Sequence, residues 1–329
     1  MSRKPIFPTI LCLLLFATAV RAADRDDKRL IPELEKAVAS GETFAMVTLG
    51  EDFLSGYGVK QDFAKAKALF QTATEAGDPA GEQDIGFLYE YGMGVPADLD
   101  KAHAIYVKTA EEGNTDAMNC LGHMYRNGHG VTKDYAEALR WYQQAADHGS
   151  FSGIKNMAFM YKAGRGVTAD PARVFALYKQ AAEKGDKPSF AEIALMYETG
   201  TGVTVDLVQA KLWTDKLITA EKAHGLSLLG AAWMYGATVP ASYIKAVPLL
   251  IQAANAGDAE GQYRLAIVYD EAMGVRQDRA EAYKWATLSA AQHFYAADDL
   301  LDDLKKSASM GEKSKGQGLA RSFKIAPLP

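Results

Sequence analysis

The sequence predicts an all-α protein: an α/α superhelical solenoid of seven 36-residue helix-turn-helix repeats with a capping helix at each end. Three observations predict it. A turn of the form Gly-x-Gly-Val followed by Asp recurs at one spacing, from Gly56 to Asp62, Gly92 to Asp98, Gly128 to Asp134, Gly164 to Asp170 and Gly200 to Asp206, each 36 residues after the last. Two columns of the same register stay small: Ala45, Gly81, Ala117, Gly153, Ser189, Gly225, Gly261, and Gly50, Gly86, Gly122, Ala158, Ala194, Gly230, Ala266. Two others stay bulky: Phe53, Tyr89, Tyr125, Tyr161, Tyr197, Trp233, Tyr269, and Leu69, Ile105, Trp141, Leu177, Trp213, Leu249, Trp285. A single core stops growing at roughly 250–300 residues. An array in which each unit touches only its neighbours escapes that limit, which suits a chain of 329 residues with 48% hydrophobic content.

Residues 1–22 read as a secretory signal peptide. Arg3 and Lys4 precede a mainly apolar run from Ile6 to Val20, and small residues stand ahead of Ala23. The run is shorter than the roughly 20 residues of a spanning helix. No membrane insertion is therefore expected after cleavage, and the expected location is periplasmic or secreted, with a eukaryotic lumen also open. Loss of Arg3, Lys4 and Arg21 would move the formal charge from −5 to −8. An acidic chain of this kind is a poor candidate for binding nucleic acid or anionic membrane. Cys12 would leave with the leader and Cys120 would remain alone, so no internal disulfide is expected.

Residues 23–41 carry a capping helix: Leu30, Leu34, Ala37 and Val38 share one face, with Glu33, Glu35 and Lys36 outside. The seven repeats occupy 42–293. In the third, helix A runs from Asp116 to Tyr125, with Ala117, Leu121, Met124 and Tyr125 as its buried stripe. Gly128 ends it and Val131 tucks an apolar side chain back. Asp134 caps helix B, in which Ala138, Trp141, Tyr142 and Ala145 face inward, and Gly149 closes it. Asp134 with Glu137, Asp206 with Gln209 and Asp278 with Glu281 have capping-box spacing, and Pro171 stands at a first helical position. The sixth repeat departs from the pattern. Glu221, Thr238 and Ser242 replace a closing glycine, the second turn glycine and the capping aspartate, and Pro248 falls inside helix B. That is either drift in a tolerant array or a change of superhelical pitch. Residues 294–329 give a C-terminal capping helix, with Leu300, Leu301 and Leu304 on its apolar face, and then a polar, glycine-containing tail.

The Gly-x-Gly-Val-x-x-Asp turn, the Ala-Ala-x-x-Gly ending of helix B and the Ala-x-x-x-Leu-Gly-x-x-Tyr of helix A resemble the Sel-1-like repeat family, relatives of tetratricopeptide repeats. The resemblance covers residues 42–293. It implies a superhelix that binds other proteins, as adaptors, export-linked factors and signalling regulators do. It also implies a competing class, cell-wall-related hydrolases or β-lactam-binding repeat proteins. Those tend to be cysteine-rich, which this chain is not.

No catalytic set stands out, and no cofactor or metal is expected. The six histidines are scattered without a Cys/His cluster. The Gly-x-Gly turn lacks the lysine and the preceding strand of a phosphate loop, and its repetition marks it as architecture. What remains is the variable face of helix A, expected to line a concave groove on the order of 60 Å long at 8–10 Å per packed helix. Its candidate binding residues are Phe87, Tyr91, Asn119, His123, Arg126, Asn127, Lys155, Phe159 and Lys162. Amides can bond an extended peptide backbone, and bases suit an acidic segment or a terminal carboxylate. The expectation is a monomeric, non-catalytic scaffold for a protein or peptide partner. An alternative for Phe87 and Phe159 is that they only pack helix A on helix A.

Overall fold

Helices of mostly 13 residues alternate with two kinds of turn, as the period requires. The computed structural model describes residues 30–294 and 296–328; the leader expected at 1–22 lies outside them. Among the described residues there are 17 helices and no strand. The cap α1 spans Leu30–Ala39. Seven pairs follow, helix A then helix B: α2 Thr43–Ser55 and α3 Phe63–Glu75; α4 Pro79–Tyr91 and α5 Leu99–Glu111; α6 Thr115–Asn127 and α7 Tyr135–Asp147; α8 Phe151–Ala163 and α9 Pro171–Glu183; α10 Lys187–Thr199 and α11 Leu207–Glu221; α12 Ala223–Tyr235 and α13 Tyr243–Asn255; α14 Ala259–Asp270 and α15 Arg279–Ala291. α16 Ala297–Ser307 and α17 Met310–Ser322 close the chain. Contacts divide the described residues into two compact units, those up to Met157 with Arg165–Val167, and Ala158–Gly164 with those from Thr168 onward.

One hydrogen bond recurs in every repeat and ties helix B to helix A. The amide that opens helix B donates to the carbonyl of the aromatic near the end of helix A: Asp62 to Phe53, Asp98 to Tyr89, Asp134 to Tyr125, Asp170 to Tyr161, Asp206 to Tyr197, Ser242 to Trp233 and Asp278 to Tyr269, all at 2.8–3.1 Å. The six aspartates also accept amide bonds at the N-terminus of helix B. The Ser242 side chain makes no such bond, so the sixth repeat keeps the backbone tie and loses the cap. The expected capping boxes are only half made. Glu137 turns to Arg140, with Nε donating to Oε2 at 2.9 Å, and Glu281 turns to Lys284 at 3.2 Å. A reciprocal box forms instead at Ser309 and Glu312.

The small columns have separate physical reasons. A Cβ on Gly122 would lie 2.3 Å from the Tyr142 ring, and one on Gly50 2.4 Å from the Phe70 ring, so this column admits the aromatic of the repeat's own helix B. A Cβ on Gly81 would lie 2.6 Å from the Phe70 carbonyl, and one on Gly153 2.7 Å from the Ala146 nitrogen. That column therefore lets helix A sit against the backbone of the preceding helix B. The residues filling the first gap, Phe70, Tyr106, Tyr142 and Leu250, are fully buried. They stand one position after the bulky column chosen from sequence, whose Leu69, Ile105, Trp141 and Leu249 are only half-buried. The helix A aromatics are half-buried too, Trp233 excepted. They carry cations on their faces: Lys101 lies 4.0 Å from the Tyr89 ring centre and Lys245 4.0 Å from that of Trp233. Val95 and Val131 tuck back onto the helices, against cores shared with the preceding repeat.

Where the pattern loses a glycine the backbone keeps the conformation or goes around it. Ala272 stands where other repeats place the first turn glycine and takes φ 58°; His293 replaces the glycine that closes helix B and takes φ 60°. At Glu221 the helix instead runs on, giving α11 15 residues, and Lys222 alone joins α11 to α12 at φ 49°. The left-handed conformation costs an L-residue such as Ala272 or His293 about 1–2 kcal/mol; Lys222, at ψ −122°, lies outside it. Pro248 lies inside an unbroken α13; the carbonyl it cannot serve belongs to Ile244, a residue 84% exposed to water.

The C-terminal segment corrects the sequence reading. The polar, glycine-containing stretch after the capping helix is expected as a tail, but residues Met310–Ser322 of it form α17. That helix lies on α15, where Gly316 approaches the Ala280 carbonyl so closely that a Cβ would lie 2.7 Å from it. Beyond it Phe323 meets the Trp285 ring edge-on at 5.4 Å, and the Ala326 amide donates to the Asn255 carbonyl at 2.8 Å. The array therefore ends on a docked strap.

Candidate protein-binding face

In the first unit, α4 and α6 present the variable positions of helix A. Phe87 packs against the core of Leu54, Ala66, Phe70 and Leu88, and its ring lies 4.6 Å from that of Tyr91. Tyr91 faces His129 at 6.2 Å. His129 is the middle residue of the Gly128-His129-Gly130 turn, dismissed on sequence grounds as architecture alone. The turn does stop α6, but it also carries this ring back to the preceding repeat. There His129 Nδ1 lies 3.0 Å from Glu90 Oε1, while Tyr106 donates its hydroxyl to Glu90 Oε2 at 2.8 Å.

Glu90 is 8% exposed, so its carboxylate depends on these partners and on the neighbouring Tyr91 hydroxyl in place of water. Burial first, and then the Glu90 charge, holds the Tyr91 hydroxyl well above its ordinary range, and it stays protonated. Burial likewise pushes up the Cys120 thiol, which packs half-buried against the third repeat's core. Glu90 and His129 are the residues that sequence reasoning missed. The available signal was the column Leu54, Glu90, Arg126, Lys162, Glu198, Met234, Asp270, which mixes acidic, basic and apolar residues where the structural columns keep one type.

The other candidates divide. Asn119 is 7% exposed. Its Nδ2 donates to the Thr115 carbonyl at 2.9 Å and to Ser150 Oγ at 3.0 Å, and its Oδ1 accepts from Asn156 at 3.1 Å. It joins the third repeat to the start of the fourth and has little left for a ligand. His123 meets Tyr142, with Nδ1 3.2 Å from the hydroxyl and the rings edge-on. Arg126 Nε donates to Oδ1 of the exposed Asn127 at 3.4 Å, and Lys155 is partly exposed on α8. In the second unit Phe159 is 41% exposed, and Lys162 Nζ donates to the Gly236 carbonyl at 2.6 Å, tying α8 to the turn of the sixth repeat.

The His123 ring makes this face sensitive to acid. Burial, and then Arg126, lowers its pKa from 6.5 to about 3. The unfolded chain therefore binds this proton more tightly, so the stability at stake is fully present above pH 6.5 and is lost as pH falls toward 3. The melting temperature is expected to drop over that window, and less steeply in His123→Gln. An unchanged pH slope in the variant would contradict this.

Among the described residues no group of three or more His, Cys, Asp or Glu side chains could hold a metal ion, and no helix is long and apolar enough to cross a membrane. Set beside known proteins, the chain matches the Sel1 repeat at residues 44–78, 79–114, 115–150, 153–186, 191–219, 223–258 and 259–294. It is 36% identical over 73 residues to the alginate biosynthesis protein AlgK of Azotobacter vinelandii, a stretch of 22% of this chain and 16% of that protein. Among solved structures, it is similar to a protective antigen of uropathogenic Escherichia coli displaying an SLR fold, at 30% identity and a TM-score of 0.47, covering 88% of this chain and 63% of that one. A Sel1 repeat protein from Oxalobacter formigenes matches at 26% identity and a TM-score of 0.47, over 73% of this chain and 96% of that one. The chain thus spans less than two thirds of both the curated relative and the Escherichia coli antigen.

Proposed function

We propose that this chain, which belongs to the Sel1 repeat family, is an exported, non-catalytic scaffold that holds a segment of a partner protein against the helix A face of its second and third repeats. Sel1 repeat proteins are in general protein-interaction scaffolds. The observation that carries the more specific reading is the row Phe87, Tyr91, His129 around the buried Glu90 carboxylate, with Arg126 and Asn127 beside it in the next repeat. The aromatic pair offers flat, rigid contact surface at small entropic cost, of the kind enriched at interfaces. The Asn127 amide can bond an extended backbone, and Arg126 adds a charge for an acidic side chain or terminal carboxylate. The periplasm or the secreted space is the proposed location, resting on the leader at 1–22.

The test is recovery of a partner from an envelope fraction by the tagged protein. Partner recovery is expected to fall at least ~10-fold when Tyr91, Arg126 and Asn127 are together changed to alanine, since truncating a few central contacts removes most of an interface's energy. The folded variant should keep its circular dichroism. Equal recovery by wild type and variant would overturn the assignment.

A further inference from the structure

We propose that a second copy of this chain docks on an aliphatic patch at the starts of α11 and α13, the helices B of the fifth and sixth repeats. Six large apolar side chains are exposed there: Val205 at 54%, Leu207 at 64%, Val208 at 78%, Leu212 at 43%, Tyr243 at 36% and Ile244 at 84%. Val208 and Ile244 occupy one repeat position, and in the other five repeats that position holds Ala64, Asp100, Ala136, Ala172 and Ala280. Leu212 stands where Ala68, Ala104, Arg140, Ala176 and Lys284 do. The patch is thus confined to two neighbouring repeats and is no product of the period.

In intact repeats the second turn glycine approaches the first residue of the preceding helix B: a Cβ on Gly130 would lie 2.7 Å from Leu99 Cβ, and one on Gly166 2.7 Å from Tyr135 Cβ. In the sixth repeat Thr238 holds that position. Its side chain turns inward, where Oγ1 donates to Glu192 Oε2 at 2.5 Å. Leu207, the residue in register with Thr238, is 64% exposed.

The surroundings favour a second copy over other occupants. Two exposed ion pairs border the patch, Lys211 with Asp215 at 2.6 Å and Lys245 with Glu198 at 2.8 Å. A border with equal numbers of both signs is self-complementary, because a two-fold axis can bring each lysine to a carboxylate of the other chain. An anionic lipid surface would call for an excess of lysine or arginine, and the chain's net charge of −5 opposes it. The largest apolar patch on a typical monomer is on the order of a few hundred Å². That can form the apolar centre of the ~800 Å² which each partner of a standard interface buries. The patch shares no residue with the proposed binding face on α4 and α6, so either proposal can fail alone.

Sedimentation equilibrium on the purified leaderless protein over the micromolar range tests it. A concentration-dependent dimer is expected, with a dissociation constant raised about 100-fold or more in Val208→Asp with Ile244→Asp, as for the loss of two central contacts. Both side chains point into water, so at concentrations where the wild type is monomeric the variant's melting curve is expected to match the wild type's. The milder Val208→Ala with Ile244→Ala is expected to weaken the dimer in the same direction. A monomer at every concentration, including one that binds anionic vesicles, would overturn the proposal, as would a dimer indifferent to both pairs of substitutions.

Discussion

Replacing Tyr142 by alanine is expected to destabilise the third repeat by roughly 3–5 kcal/mol, the range for deleting a large buried aromatic. Tyr142 is fully buried, and its ring fills the space above Gly122. Its removal leaves both a cavity and an unpartnered His123. The cause is the fit between one large and one absent side chain, so the reverse change should also destabilise. Gly122→Leu is expected to cost at least the 1–3 kcal/mol typical of overpacking. The double variant Gly122→Leu with Tyr142→Ala should be less destabilised than the two single losses added together, because the new side chain occupies part of the vacated volume. Urea unfolding of the four proteins measures this. Strict additivity would mean that the two positions do not face each other.

The second large effect is at Gly202. A Cβ there would lie 2.0 Å from the Pro171 carbonyl oxygen and 2.5 Å from its carbon, both backbone atoms that cannot rotate away, and the residue sits at φ 72°. Gly202→Ala combines about 1–2 kcal/mol for the left-handed conformation with about 1–3 kcal/mol for the clash. Gly185 supplies the control. It has φ 99° and nothing within 4 Å of its would-be Cβ. Gly185→Ala should therefore show the conformational cost without the clash. Equal losses of stability in the two variants would contradict the close approach of the fifth repeat's turn to α9.

The two positions show why most of this fold was legible in the sequence. Contacts inside a repeat, and between equivalent positions of neighbours, recur every 36 residues. Glycine stops, aspartate caps and small columns therefore announce themselves by repetition. Contacts made once do not. Nothing periodic places His129 beside Glu90, 39 residues earlier, or Lys162 beside Gly236, 74 residues later. Asn119 was chosen because its column varies, but a variable column can also hold a single polar clamp between two repeats, and here it does. α17 was illegible for another reason. Its three glycines and polar composition give it little helix propensity, and its place depends on one glycine meeting the α15 backbone. The apolar patch was hidden because exposure, not composition, defines it.

The most direct test of the account is amide hydrogen exchange on the protein alone and saturated with its co-purified partner. The binding-face proposal predicts new protection in α4 around Phe87 to Tyr91 and from the end of α6 through His129, with the starts of α11 and α13 unchanged by the partner. Protection confined to other segments would contradict it.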